Sequence, residues 1–410
     1  MRRLKKTLWT KNFTLVTAAS ALGAVGGIAG GFALSFLVFD ETGSTLASAL
    51  ILAIQLVPFF VLPLFLAPVM DRLPRKPFLV AGDLIDGVLY ALMGLYLLKF
   101  EFSYAAYLGY SLLLACLESF DELAFQSIYP KLIPEGMEQQ GYAVSTTLYP
   151  ILRVLMLPLA GVLLDAVGAA WILIGQGGLS LLAALIESNI DITEHRREGG
   201  EKLFTLRQWR ADIKEAAEYL KNERGVTGIF SYMAVTNGVA SGYSSILVAF
   251  FRTFPGFTAA MYSLFSVFEF AGRTLGGAVQ YKLKIAKEKK FGFTFLVYQI
   301  YETMDMCLLW LPYPLMLANR ALVGFLGANS ATMRQAAMQT YIPEELRARL
   351  NAFQNMLVTA ASGLFALIIG ALGEVLDYRL CVTICGATAF IAAWLLVWRR
   401  RADVRKIFEK

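Results

Sequence analysis

Long apolar stretches, separated by short polar ones, set the pattern of this chain. They fall near residues 12–38, 44–70, 77–98, 103–129, 140–164, 169–189, 226–251, 257–281, 291–311, 313–341, 346–373 and 377–398. A helix needs roughly 20 predominantly apolar residues to cross a bilayer, and each stretch comes close to or exceeds that length. The pattern predicts an all-α polytopic membrane protein with about twelve transmembrane helices. Several stretches carry interior charges, which weakens their signal.

The longest polar run lies between the sixth and seventh stretches and divides the chain into 1–190, a linker at 191–224, and 225–410. Within the linker Thr205 precedes Gln208 by three positions, a capping-box pattern for a helix start. Trp209, Ile213, Ala216 and Leu220 then recur at helical spacing with charges between them. This predicts an amphipathic helix lying along the inner membrane surface. The two flanking parts resemble each other. A shift of 209 residues sets Gln126 on Gln335, Ile133-Pro134-Glu135 on Ile342-Pro343-Glu344, Gly161 on Gly370 and Asp165 on Glu374. Two parallel six-helix halves related by internal symmetry are the architecture this implies.

Composition agrees with the pattern. The chain is 57% hydrophobic and only 17% charged, too little charge to cover a soluble protein of this length. The 37 Lys and Arg residues are distributed unevenly. Lys99, Arg252 and Arg379 fall in loops of one side, and Arg153, Arg273, Arg320 and Arg334 lie inside stretches. Nearly all the others occupy the termini and the alternate loops. That distribution places both termini and the linker on the cytoplasmic side of the inner membrane. The net charge of +6 then reflects contact with anionic lipid headgroups, and no nucleic-acid partner is expected. Cys116, Cys307, Cys381 and Cys385 sit inside stretches, and the single histidine, His195, sits in the linker. No metal site, no other cofactor and no enzymatic centre is expected from them.

The loop between the second and third stretches reads Asp71-Arg72-Leu73-Pro74-Arg75-Lys76. It resembles the Gly-x-x-x-Asp-Arg-x-Gly-Arg-Arg/Lys signature of the major facilitator superfamily. Asp71, Arg72, Arg75 and Lys76 match, while Ala67 and Pro74 stand where the family has glycines. The resemblance implies the major facilitator fold and a cytoplasmic gate in which Asp71, Arg72, Arg75 and Lys76 act, with Glu344, Glu345 and Arg347 as the mirror loop. In the second half Tyr281 holds the aspartate position, so the gate should lean on the first half. Gln126–Glu135 and Trp209–Tyr219 resemble the macrolide-efflux and siderophore-export branch.

Ionisable side chains within a bilayer cost roughly 2.5–3.5 kcal/mol each on insertion scales and ask for a function or a partner. Glu269, Arg273, Glu302, Asp305, Arg320 and Arg153 are expected near mid-depth. Glu269 and Arg273 are spaced for an ion pair along one helix. Glu302 and Asp305 share one face, so mutual repulsion favours proton binding by one of them, with Arg320 as a switchable partner. Asp83, Asp86, Glu118, Asp121 and Glu122 gather at the inner ends of the third and fourth helices, where pairing with Arg72, Arg75 and Lys131 is expected; Asp86 lies a turn deeper. Gly23, Gly26, Gly27, Gly30 and Gly31 on the first helix permit close helix contact. Tyr232, Asn237, Tyr243 and Asn355 are the expected polar lining of a substrate cavity for an amphipathic guest.

These features predict a monomeric secondary active transporter. It would export a moderately hydrophobic small molecule in exchange for protons by alternating access. A siderophore, metabolite or lysolipid cargo on the same fold is the alternative. A polytopic sensor or scaffold that does not transport is the alternative of another class.

Overall fold

The computed structural model describes residues 7–70, 74–192, 214–215, 217–282 and 285–409. All regular structure among them is helical. Twelve long helices follow one another: α1 (Lys11–Thr42), α2 (Thr45–Met70), α3 (Lys76–Lys99), α4 (Tyr104–Leu132), α5 (Glu138–Val167), α6 (Ala169–Ser188), α7 (Arg224–Thr253), α8 (Ala259–Lys282), α9 (Lys287–Cys307), α10 (Tyr313–Tyr341), α11 (Glu344–Gly373) and α12 (Tyr378–Ala392). α12 runs on through a π-turn at Ala393–Val397 and a tight turn at Trp398–Arg400 into a short terminal helix, α13 (Arg401–Glu409). Each predicted stretch becomes one helix.

Among the described residues seven helices are long and apolar enough to cross a membrane by composition alone: α1, α3, α5, α6, α7, α11 and α12. The weaker signal of α4, α8, α9 and α10 has a plain cause. They carry Glu118, Asp121 and Glu122, then Glu269 and Arg273, then Glu302 and Asp305, then Arg320 and Arg334.

The helices form two compact units. The first holds α1 and α3–α6, most of α2, and the start of α8 at Thr258–Ser263. Here α3 packs along α6, and α1 against α5 and α6. The glycines of α1 divide by face. A Cβ on Gly26 or Gly30 would meet Gln176 of α6, whereas Gly23, Gly27 and Gly31 face open space. The contact face is therefore one side of the predicted glycine stripe. The first helix is tied down at its other end as well. Asn12 Nδ2 donates to the Asp191 carbonyl at 2.7 Å, and the Asp191 N–H donates to Asn12 Oδ1 at 2.9 Å. Lys11 pairs with the Asp191 carboxylate at 2.5 Å. Its hydrogen bond and its charge hold that carboxyl below the usual aspartate range.

The second unit holds α7, α9–α13, the rest of α8, and Gly43–Ala53 at the start of α2. α7 packs along α11, and α9 and α7 pack against α12. Val404, Ile407 and Phe408 of α13 are buried in an aromatic and aliphatic cluster with Phe291, Phe295 and Leu220. Leu220 belongs to a helical segment at 217–222. Of the predicted linker helix, Thr205, Gln208, Trp209, Ile213 and Ala216 lie outside the described residues, as does His195.

The start of α2 is capped twice within this second unit. Ser44 Oγ accepts the Ala47 N–H at 2.9 Å and donates to Glu374 Oε1 at 2.8 Å, which also accepts the Leu46 N–H at 2.9 Å. Thr45 Oγ1 donates to the Gly370 carbonyl at 2.7 Å. The first unit contains a counterpart. Asp165 Oδ2 accepts the Ala260 N–H at 3.4 Å at the start of α8, and a Cβ on Gly161 would meet the Ala260 backbone at 2.7 Å. Gly161 and Asp165 are the residues that the 209-residue shift sets on Gly370 and Glu374. The same carboxylate-to-helix-start contact thus occurs at both equivalent places.

Candidate functional site

A cavity of about 320 Å³ lies inside the second unit, bounded by α7, α8, α9, α10 and α12. Tyr232, Asn237 and Tyr243 of α7 reach it, as do Glu269 and Arg273 of α8 and Glu302 and Asp305 of α9. Three expected cavity residues and four expected membrane charges therefore meet at one space.

Each charge arrives with a different arrangement around it. On α8, Arg273 donates to Glu269 Oε1 through both Nε (3.0 Å) and Nη2 (2.7 Å), the one-turn pair that the spacing predicts. This pair is part-exposed, so it holds two opposite charges at the cavity wall at modest cost. On α9 the two carboxylates are divided between partners. Asp305 is paired with Arg320 Nη2 of α10, and both are buried. Arg320 also donates to Asn319 Oδ1 at 2.9 Å and to Tyr243 Oη at 3.4 Å, and Asn319 Nδ2 donates to the Met304 carbonyl at 2.8 Å. Burying an ion pair is tolerable only when further hydrogen bonds offset the desolvation, and this network engages both terminal nitrogens of Arg320 while its Nε stays without a partner. Glu302, only 3% exposed, accepts instead from the Tyr232 hydroxyl at 3.1 Å. No cation is within ion-pair distance of Glu302 among the described residues. The expected switchable arginine is thus committed to Asp305, and Glu302 is left with a phenol.

Residues absent from the sequence-based set complete the wall. Arg334 of α10 lines the cavity, donates to the Tyr298 hydroxyl at 3.1 Å, and holds its guanidinium carbon 6.0 Å from that ring's centroid. The Tyr298 and Tyr232 rings lie 4.6 Å apart between centroids. Tyr301 and Cys385 also line the space. The signal for Arg334 was present in the sequence as an arginine inside an apolar stretch. Its approach to Tyr298, 36 positions away, was not.

Other expected residues lie elsewhere. Arg153 is exposed on α5 and does not line this cavity. Asn355 is exposed on α11 and is not part of the cavity lining. Its neighbours Asn351 and Gln354 are engaged, with Gln339 at 3.2 Å and Met233 Sδ at 3.0 Å. Asp86 belongs to an acidic group of the first unit. There the Tyr90 hydroxyl donates to Glu118 Oε1 at 3.4 Å. Glu187, 3% exposed, is an acid the sequence reading did not include.

Of the expected gate, Asp71 and Arg72 lie outside the described residues. Arg75 precedes α3, and Lys76 Nζ donates to the Ser188 carbonyl at 2.7 Å, tying the loop to the end of α6. Glu344 and Glu345 open α11, and their side chains lie outside the description. Arg347 donates to the Ile342 carbonyl at 3.5 Å.

The family comparison agrees with this architecture. The Major Facilitator Superfamily matches the chain over residues 14–298 and 304–409. Solved structures of similar fold include a bacterial homologue of the human lysosomal transporter Spinster. Its inward-facing form is 14% identical with a TM-score of 0.65, and the match covers 97% of this chain and 94% of that one. A second inward-facing form of that protein, with its site occupied, is 13% identical with a TM-score of 0.64 over 99% and 94% of the two chains. The nucleoside transporter NupG is 10% identical with a TM-score of 0.68 over 95% and 99%. The search of curated proteins returned no match.

Proposed function

From a chain that belongs to the major facilitator superfamily, and is therefore a multi-pass transporter and not an enzyme, we propose proton-coupled export of an amphipathic small molecule. The site is the cavity of the second unit, and the coupling group is Glu302. One observation carries this reading. Glu302 is a buried carboxyl at the wall of a cavity, held by a neutral phenol and, among the described residues, without a cation within ion-pair distance, while the neighbouring Asp305 has its own arginine. A carboxylate without a counter-charge in a low-dielectric site favours its protonated form, and solvent access through an opening cavity reverses that preference. Glu302 can therefore take up a proton in one state and release it in another. Asp305, paired with Arg320, has a structural role.

Export in place of uptake is supported by the likeness of Gln126–Glu135 to the efflux branch. An amphipathic cargo suits a wall that alternates tyrosine rings with Asn237, Ser330 and charged groups. Operation in the inner membrane with both termini cytoplasmic follows from the basic-residue distribution.

The reading is tested in proteoliposomes loaded with a defined mixture of drugs, siderophores and lysolipids, with an imposed pH gradient and mass-spectrometric analysis of what leaves. Wild-type protein is expected to move at least one component faster with the gradient than without. E302Q is expected to remove the acceleration and to keep gradient-independent exchange. Equal acceleration in both proteins would place the coupling group elsewhere.

A further inference from the structure

Arg334 lines the cavity of the second unit without a carboxylate partner among the described residues, and we infer that the cavity receives the anionic end of its guest there. This deepens the transporter reading above and rests on it for the cavity's role, but it concerns the charge of the cargo alone.

Glu269 is engaged by Arg273 at 2.7 Å, and Asp305 by Arg320. Glu302 accepts from Tyr232. Arg334 has no carboxylate within ion-pair distance among the described residues. Its hydrogen-bond partner there is the Tyr298 hydroxyl, a neutral group. A guanidinium is a planar donor of five N–H groups, and one phenol oxygen satisfies one of them. The others remain for a bidentate acceptor such as a carboxylate or a phosphate, the geometry for which arginine is best suited.

The alternative is that Arg334 is a packing residue held over an aromatic ring. Arg334 is half-buried at the cavity wall, and partly desolvating a guanidinium without an opposite charge is unfavourable; one hydrogen bond to a phenol with a ring 6.0 Å away offsets only part of that. A helix that only needed filling here would be better served by leucine or methionine. A position that lines the cavity and carries an uncompensated cation is explained by a ligand that supplies the charge.

The surroundings define the rest of the guest. The rings of Tyr298 and Tyr232 lie 4.6 Å apart beside the guanidinium, and Tyr301 and Tyr243 line the same space. Flat apolar surface next to an anion-binding fork fits an aryl or similarly flat amphiphile with a phosphate or carboxylate head. A quaternary ammonium guest would also favour tyrosine rings, but it would face Arg334 with like charge.

The experiment uses three probes with one ring and three heads: 2-naphthyl phosphate, 2-naphthol and 2-naphthylmethylammonium. Binding to the purified full chain is measured by thermal shift and by titration at constant ionic strength. The phosphate is expected to bind at least about tenfold more tightly than either other probe. R334Q is expected to remove that margin, and R334K to keep part of it because it retains the charge without the fork. Should R334Q fail to fold, the ranking of the three probes on wild-type protein decides alone. Equal affinity for the three heads, preference for the ammonium, retention of the phosphate margin in R334Q, or no binding of any probe would each overturn the assignment. Proton-driven movement of a neutral or cationic compound in liposomes would leave the transporter reading standing and defeat this one. Anion binding at Arg334 without any transport would do the reverse.

Discussion

At the scale of single residues, the two carboxylates of α9 differ in what their loss should do. Removing the charge of Asp305 leaves Arg320 buried and unpaired, since Asn319 and Tyr243 contribute only neutral hydrogen bonds. Losing one partner of a buried pair costs about 3–5 kcal/mol, so D305N should be strongly destabilised in detergent. Replacing both partners with Leu and Met should recover much of the loss, because the desolvation cost disappears with the charges. E302Q keeps an acceptor for the Tyr232 hydroxyl and should melt close to wild type. Thermal unfolding of the four proteins checks this, and a D305N protein as stable as E302Q would contradict it. The sequence showed that these charges occupied the membrane. It could not show how they were shared out, because Tyr232, Arg320 and Arg334 reach α9 from other helices.

At the scale of the helix, close crossings depend on glycines whose neighbours lie far off in sequence. α8 and α10 cross where a Cβ on Gly272 would run into the Ala321 carbonyl and one on Gly324 into the Glu269 carbonyl. These carbonyls belong to helix backbone and cannot move aside cheaply. G324A should therefore cost about 1–3 kcal/mol as overpacking, while G277A, which faces open space, should be neutral or slightly stabilising. Melting temperatures of the two variants test this, and similar values for both would contradict the crossing. Because α8 carries Glu269 and Arg273 and α10 carries Arg320 and Arg334, this crossing also fixes the cavity wall. The glycine stripe of α1 was legible from spacing. The Gly272–Gly324 crossing was not, since the spacing of Gly272, Gly276 and Gly277 on α8 and of Gly324 and Gly327 on α10 does not say which helix each one meets.

The start of α2 gives a pH-dependent test at the same scale. Burial raises the Glu374 pKa, but hydrogen bonds from Leu46 N–H, Ser44 and Thr45 outweigh it, and the carboxyl sits below the usual glutamate range. A carboxylate with a depressed folded-state pKa stabilises the fold above its unfolded value, and that contribution fades as pH falls through the depressed one. E374Q should therefore melt below wild type at pH 7, by about 1 kcal/mol in the manner of a lost helix cap. The difference should persist down to the ordinary glutamate range and close below it. A difference that widened on acidification would contradict the cap.

At the scale of the whole molecule, twelve helices and a resemblance between the two halves could be read from apolar lengths and from a near-constant offset. That offset also brought Gly161 and Asp165 onto Gly370 and Glu374, which then proved to make equivalent contacts in the two units. Such features are legible because membrane-spanning segments must satisfy their backbone internally, so length and apolarity carry the signal. The exposure of Arg153 on α5 was not legible, for the complementary reason. Depth along a helix is visible in sequence, but the direction a side chain takes around it depends on neighbours that sequence does not show.

The central claim is that Glu302 exchanges protons as the transporter turns over. The direct measurement is proton movement itself, read from a pH-sensitive dye trapped in liposomes while a transported compound is supplied outside. Wild-type protein should move protons opposite to the compound, and E302Q should move the compound without them. Proton movement of equal size in E302Q would contradict the account.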